Sequence, residues 1–223
     1  MTEQNVKFLE DAFPSWRKLT QGQQDSLKQS AVEQKYAKGV SLHHGSEDCS
    51  GLFVVKSGQL RVYTISESGK EITLYRLFDR DICLFSASCM LKNISFDVHV
   101  EAEKDTLALL IPTPVYEGLM KNSLVLTDFT NQLLASRFSD VMWVMEQVLF
   151  TSFDRRLAAF LLEQSSIESS DTLHITHEEI SRHMGSAREV VTRMLKYFQA
   201  EGMVTLSRGG IAIVDESKLK KLI

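Results

Sequence analysis

The sequence predicts an α+β protein in three parts: a block of short β-strands behind a helical start, one long helix, and a small helical unit closed by a β-hairpin. Three observations carry this. Between Ala37 and Pro112, short β-type runs alternate with turn residues. Between Gly118 and Gly185 there is neither glycine nor proline. From Thr176 to Ile213, two short amphipathic segments meet at a glycine and lead into a hairpin around Gly209-Gly210.

Residues 1–36 read as helical, interrupted near Pro14. Thr20 is the expected N-cap of a second helix that includes Leu27, Ala31 and Val32. The β block follows as "VSLHH", "LFVVKSGQLRVYTI", "KEITLYRLF", "DICLF", "FDVHVEA" and "TLALLIP". Turn signals separate these runs at Gly45, Ser57-Gly58, Ser68-Gly69, Asp79 to Asp81 and Lys104-Asp105. Alternation sets Leu60, Val62 and Thr64 on one face, and Val98, Val100 and Ala102 on another. Short strands at such regular spacing predict a sandwich, barrel or jelly roll.

Thr113-Pro114 starts a helix with proline at its first position. Asn122-Ser123 can cap a long helix that runs to about Phe150. Leu134, Phe138, Val141, Met145 and Val148 step by 4, 3, 4 and 3, a coiled-coil-like seam. Met142, Trp143, Val144 and Leu149 make the second half apolar on nearly every side. Such a helix must be buried on more than one face. One face can pack on the β block; the other needs a partner, most simply the same helix of a second subunit. The alternative is a central helix inside one large monomer. "TSFDRRLAAFLLEQSS" opens a further helix, so a boundary is expected near residues 151–154. The expected division is a β-roll over 1–120, the long helix over 121–150 and the helical unit over 151–223.

Composition narrows the class. At 43% hydrophobic and 24% charged, the 223 residues are ordinary for a soluble globular protein. No apolar run approaches the ~20 residues of a membrane span, and "MTEQNVKFLEDAF" has no signal-peptide pattern. Cys49, Cys83 and Cys89 are odd in number and irregularly spaced, which fits a reducing compartment. The expected location is therefore cytoplasmic, with no membrane partner. The net charge is −4, but residues 172–223 hold eight Lys/Arg against six Asp/Glu, a basic end on an acidic body.

The informative segment is "THEEISRHMGSAREVVTRMLKYFQAEGMVTLSRGGIAIV". Thr176 with Glu179 is a capping box. The helix it opens has Ile180 and Met184 inside and ends at Gly185. Ser186 or Ala187 starts the next, which buries Val191, Met194, Leu195 and Phe198. This is a helix-turn-helix, and "MVTLSRGGIAIV" is a β-hairpin wing behind it. Glu189, Arg193 and Lys196 fall on the opposite face of the second helix, flanked by Arg188 and Thr192. The N-terminal end of such a helix reaches base edges in the major groove. There, Arg donates twice to guanine and Glu accepts from cytosine. The bland alternative is a solvated face with a Glu189–Arg193 pair. "HEEISRH" superficially suggests a zinc site, but His177 and His183 are six apart and point about 120° away from each other on a helix. No metal-ligand set is expected there.

These features together resemble the CRP/FNR family of bacterial transcription regulators over nearly the whole chain in order. The likeness is sharpest from Thr176 to Ile213, where Gly185, Arg188-Glu189 and Arg193 are followed by Leu195, Phe198 and Gly202. "RRLAAFLLEQS" and "EGMVTLSRGGIAIV" look more like the FNR branch than the cyclic-AMP receptor branch. The resemblance implies a cyclic-nucleotide-binding-like jelly roll (a double-stranded β-helix) as sensor domain, a dimerisation helix and a winged helix-turn-helix DNA-binding domain. It implies a regulator, not an enzyme, that binds an inverted repeat in double-stranded DNA as a homodimer, with RNA polymerase as a further partner. Half-sites would carry a G·C pair within a TGTGA- or TTGA-like core. Arg188, Glu189 and Arg193 would contact bases, and Thr192 stands where the FNR branch has a readout Ser. Thr176, Ser186, Lys196 and Arg208 complete the expected DNA-facing set. Ala187 departs from the family's Ser/Thr just before Arg-Glu; Ser186 is expected to cap instead, in a capping box with Glu189.

The sensor departs further. Leu84-Phe85 occupies the place of the Gly-Glu pair of cyclic-nucleotide binders, and Ser95-Phe96 that of their Arg-Ser. A buried phosphodiester would lack its charge partner. An FNR-type iron–sulfur cluster needs four cysteines, and this chain has three, none N-terminal. Cys83 and Cys89, with Cys49, could form a redox pair or bind a soft metal, or be bystander thiols. His43 and His44 are adjacent on a strand, so at most one faces a pocket that could hold haem; His99 could simply be exposed. The expected effector pocket comprises Leu84, Phe85, Ser86 and Phe96, with Ile82, Met90 and Leu91 either lining it or filling the roll. The cofactor and the small effector are left open. The competing reading is a cyclic-nucleotide-binding-like regulatory module, or a redox or haem sensor, without DNA selectivity.

Overall fold

The computed structural model describes residues 2–45, 50–90 and 97–223, apart from the side chains of 88–90. Helices α1 (Glu3–Ala12) and α2 (Gln21–Ser30) open the chain. Thr20 caps α2 in a reciprocal capping box with Gln23. The helix stops earlier than expected, because Val32–Tyr36 forms strand β1 and pairs with Thr106–Ile111, strand β8. β1 is an edge strand with every side chain at least partly exposed, so its polar pattern hides its strand character.

The β block contains β2 (Ser41–His44), β3 (Leu52–Ser57), β4 (Leu60–Ile65), β5 (Glu71–Leu77), β6 (Ile82–Cys83) and β7 (His99–Ala102). They form two four-stranded sheets, ordered β1-β8-β3-β6 and β2-β7-β4-β5. One core lies between the sheets: Phe53 and Val55 from β3, Leu60 and Val62 from β4, Val100 from β7 and Ala108 from β8. This is the expected jelly roll. Strand β3 is buried on both faces. Its Leu52 and Val54 point out of the roll, into a second core with Leu9, Phe13 and Trp16. Each fully buried aliphatic side chain contributes roughly 1.5–3 kcal/mol.

Helix α3 (Thr113–Lys121) begins with Pro114 in its first turn. Helix α4 (Leu124–Phe150) follows, with the Leu126 amide donating to Ser123 Oγ at 3.4 Å. Leu126 is buried in the α1 core, and Val125, Phe129, Leu133 and Leu134 pack against it. Beyond that, Phe138, Trp143, Leu149 and Phe150 are 66%, 58%, 62% and 81% exposed. Of the expected seam, Leu134 packs on its own chain, while Phe138, Met145 and Val148 are exposed.

The chain divides into two units: Met1–Ile65 with Leu74–Val141, and Ser66–Thr73 with Met142–Ile223. The second is built on α5 (Phe153–Glu168), β9 (Thr172–Leu173), α6 (His177–Met184), α7 (Arg188–Ala200), β10 (Val204–Ser207), β11 (Gly210–Ile213) and α8 (Glu216–Lys220). Its core joins Leu157 and Leu161 of α5 to Ile180, Val191, Leu195, Phe198, Val204, Ile211 and Leu219. Strands β9, β10 and β11 form one small sheet in the order β10-β11-β9.

Two glycines separate backbone need from helix entropy. Gly58, in the β3–β4 turn, has φ +98°, and a Cβ there would lie 2.4 Å from the Asp105 carbonyl oxygen. A Cβ on Gly22, in the first turn of α2, would meet nothing within 4 Å. Gly58→Ala is expected to lower unfolding free energy by at least about 2 kcal/mol. Gly22→Ala is expected to raise it by about 0.4–1 kcal/mol. Urea unfolding monitored by circular dichroism checks both signs.

Candidate nucleic-acid interface

The local sequence explains why α6 and α7 meet as they do. The Thr176 hydroxyl accepts from the Glu179 amide at 3.1 Å, and the Thr176 amide donates to Glu179 Oε2 at 2.7 Å, closing the expected capping box. At the other end of α6, Gly185 adopts φ +63° and turns the chain. The Ser186 amide then donates back to the Ser181 carbonyl at 3.1 Å, satisfying a helix-end acceptor. Ala187 is the N-cap of α7, with no side-chain cap. The expected Ser186–Glu189 capping box is therefore absent: the chain enters the helix one residue later than that box requires.

Helix α7 divides cleanly. Val191, Leu195 and Phe198 are fully buried, and Met194 packs against the same core. Arg188, Glu189, Arg193 and Lys196 are exposed. Thr192, between these faces, is half-buried and sits 2.9 Å from His177 Nδ1 on α6. Thr176 is exposed at the start of α6, but its hydroxyl is engaged by Glu179. Ser186 is half-buried in the turn. Arg208 is exposed at the tip of the wing, where Ser207 pairs with Gly210 and Gly209 has φ +83°. The structure thus gathers Arg188, Glu189, Arg193 and Lys196 on one helix face, with Arg208 at a separate hairpin tip.

In the sequence, His177 stands out only as half of a zinc-like pattern that its spacing excludes. The structure makes it the partner of Thr192, and puts His183 2.8 Å from Thr73 instead. Burial holds the His177 imidazole below its ordinary pKa, with the positive charges of Arg188 and Lys196 adding to the effect.

In the roll, the expected pocket residues separate. Leu84 packs in the core with Leu9 and Trp16. Phe85 packs in the core between the sheets. Ser86 is buried, donating to the Gly51 carbonyl at 2.6 Å. Phe96, Cys49 and Leu91, and the side chains of Cys89 and Met90, lie outside the described residues. Cys83 is buried, and burial pushes its thiol up. His43 faces inward and is fully buried, while His44 is exposed. His99 stacks on Tyr63 with ring centroids 5.4 Å apart. The same face of β4, opposite Leu60 and Val62, holds an unanticipated polar group: Arg61, 1% exposed, bonds Glu101 at 2.9 Å and lies over the Tyr63 ring.

A capped helix, a glycine turn, a second helix with a basic exposed face and a β-wing define a DNA-binding winged helix-turn-helix. Comparison with known proteins agrees. Residues 155–222 match the model of the Crp-like helix-turn-helix domain, and residues 33–123 match that of the cyclic nucleotide-binding domain. The crystal structure of a transcriptional regulator of the crp/fnr family from Eubacterium rectale ATCC 33656 is 52% identical, with a TM-score of 0.94 over 96% of this chain and 99% of its own. The fumarate and nitrate reduction regulatory protein of Vibrio cholerae is 26% identical over 92% of this chain and 84% of its own. FixK2 from Bradyrhizobium japonicum shares the fold at TM-score 0.66 and 18% identity, covering 86% and 96% of the two chains. The chain belongs to the CRP/FNR family: it is a DNA-binding transcription regulator, and not an enzyme.

The depressed His177 value sets a pH dependence. On acidification the unfolded chain takes up this proton before the folded one does. The contribution of neutral His177 is therefore complete above its ordinary value of 6.5 and is lost as the pH falls through the lower folded-state value. His177→Asn is expected to flatten the fall in melting temperature between about pH 7 and 5. Thermal unfolding of both proteins across that range checks it; parallel curves would remove His177 as the cause.

Proposed function

We propose that the protein binds an inverted repeat in double-stranded DNA as a homodimer, under control of a small effector sensed by the β-roll. The observation that carries the DNA reading is the division of α7: three apolar residues held in the core and four charged residues left outside it. Arg188, Glu189 and Arg193 are the base readers in this proposal, with Thr192 as a minor contact. Lys196 and Arg208 are phosphate contacts, and Thr176 and Ser186 flank the backbone through the helix-turn-helix. Phosphate contacts supply affinity and base contacts supply sequence.

Support for the dimer comes from α4. Its Phe138, Trp143, Val148 and Leu149 present large apolar surfaces that a single chain leaves in water, and such surfaces mark association sites. Two-fold pairing through the seam Leu134, Phe138, Val141, Met145 and Val148 would set two recognition helices about 34 Å apart, one turn of DNA. In this working scheme residues 1–120 sense, 121–150 dimerise and 151–223 bind DNA. The effector would shift the dimer between arrangements that do and do not match that spacing. RNA polymerase is the partner expected of a regulator bound at a promoter. Among the described residues no helix is long and apolar enough to cross a membrane, and we place the protein in the cytoplasm with its DNA.

Selection of bound sequences from a random duplex pool is expected to return a palindrome. Arg193→Ala should cost about 1–3 kcal/mol in binding and relax the preference at one base pair. Equal weakening on every sequence would reduce Arg193 to a phosphate contact. Phe138→Asp and Met145→Asp are expected to sediment as monomers; an intact dimer in both would dismiss the seam.

A further inference from the structure

We propose that His177 is a positioning residue for base selection: it holds the Thr192 hydroxyl as an acceptor, so that Thr192 favours a base with an amino group in the major groove, adenine or cytosine. The inference rests on the proposed reading of DNA by α7 and adds the chemistry of one position. Both residues belong to the C-terminal unit, His177 at the start of α6 and Thr192 within α7.

Three observations fix the state of the hydroxyl. The first is its direction. A serine or threonine inside a helix commonly turns back on its own backbone. On α4, the Thr130 and Ser139 hydroxyls do so, donating to the Leu126 and Ala135 carbonyls at 2.8 and 3.0 Å. The Thr192 hydroxyl is turned to another helix instead, with Oγ1 2.9 Å from His177 Nδ1. The second is its setting. Arg188 and Lys196, one turn before and one turn after Thr192, are exposed, as is its neighbour Arg193. Thr192 itself is only half-buried, so the pair is not sealed in the core. The third is charge. Burial, with Arg188 and Lys196 close by, disfavours the imidazolium and keeps His177 neutral.

These facts select a base. A neutral imidazole has one bare nitrogen, and a hydroxyl has one donor and two acceptor positions. With Nδ1 bare, the Thr192 donor is occupied by His177, and what remains for a ligand is acceptor. In the major groove, adenine N6 and cytosine N4 carry hydrogens, whereas guanine O6 and thymine O4 carry lone pairs. The first two complete a hydrogen bond to Thr192; the second two oppose it. Arginine cannot make this choice, because it has donors alone. Thr192 therefore adds to Arg188 and Arg193 a requirement of the opposite sense, without adding charge.

The test uses the full chain and the palindrome it selects from a random duplex pool. Thr192→Val keeps the side-chain shape and removes the hydroxyl. Single amino groups are then deleted from that palindrome, with purine replacing adenine or pyrimidin-2-one replacing cytosine. One deletion is expected to weaken the wild type about fivefold and Thr192→Val less than about twofold, the effect of one hydrogen bond. At that base pair, G·C in place of A·T, or T·A in place of C·G, puts a carbonyl where the amino group was. The wild type should lose about tenfold in affinity; His177→Ala, with the hydroxyl free to donate, should lose less than about threefold. In the free protein near neutral pH, imidazole 15N shifts, assigned by the signal lost in His177→Ala, should show Nδ1 bare and Nε2 protonated. A protonated Nδ1, amino deletions felt equally by wild type and Thr192→Val, or an unchanged tenfold loss in His177→Ala would each overturn the proposal. If Arg193→Ala alters the selected sequence and Thr192→Val does not, base reading by α7 stands and the role of His177 falls.

Discussion

Burial of strand β3 on both faces is the constraint on which the N-terminal unit depends. Leu52 and Val54 must find an apolar layer outside the roll, and Phe53 and Val55 must find one inside. The first requirement gathers α1, α3 and the start of α4 onto the sheet; the second closes the two sheets over one core. The roll interior and the apolar layer outside it are thereby separated by a single strand. Leu134 completes the connection, since it packs against both cores. A change of packing inside the roll has a short path to α4, through side chains that have no room to absorb it.

The C-terminal unit follows a simpler rule. Its core is continuous from α5 to α8, and every helix contributes one apolar face to it. What is left on α7 after that demand is met is a basic surface that packing does not need. In the proposed reading, function there is the remainder of folding: the residues with no structural task are those free to meet DNA.

Much of this was legible in the chain. Helix caps at Thr20, Thr176 and Gly185, the wing and the strand alternation at Leu60 and Val62 are local signals, written within a few residues. Strand β1 was hidden because an edge strand buries little and so carries no alternation. The α7 cap falls one residue beyond the Ser186 that the sequence favours, at Ala187, because the turn does not use the Ser186 hydroxyl. The roll was least legible. Leu84 and Phe85 are neighbours in sequence and lie in different cores, a consequence of strand geometry that no motif announces. Tyr75 and Arg137 are 62 positions apart, and only the fold brings the Arg137 guanidinium to 4.8 Å from the centre of the Tyr75 ring. Arg137 did carry a hint: it continues the inward stripe Leu126, Thr130, Leu133 and Leu134, an unusual place for a charge.

The contact between His177 and Thr192 has a consequence for the surface that α7 presents. A hydroxyl has one hydrogen to give. When His177 Nδ1 is bare, Thr192 gives that hydrogen to it and shows outward only lone pairs. When Nδ1 carries a proton, the imidazole becomes the giver, and Thr192 is free to donate elsewhere. The polarity that Thr192 shows at the surface of α7 is therefore decided by a proton on the other helix. In the proposed two-helix reader, this one position would be a letter whose meaning is set outside the helix that displays it.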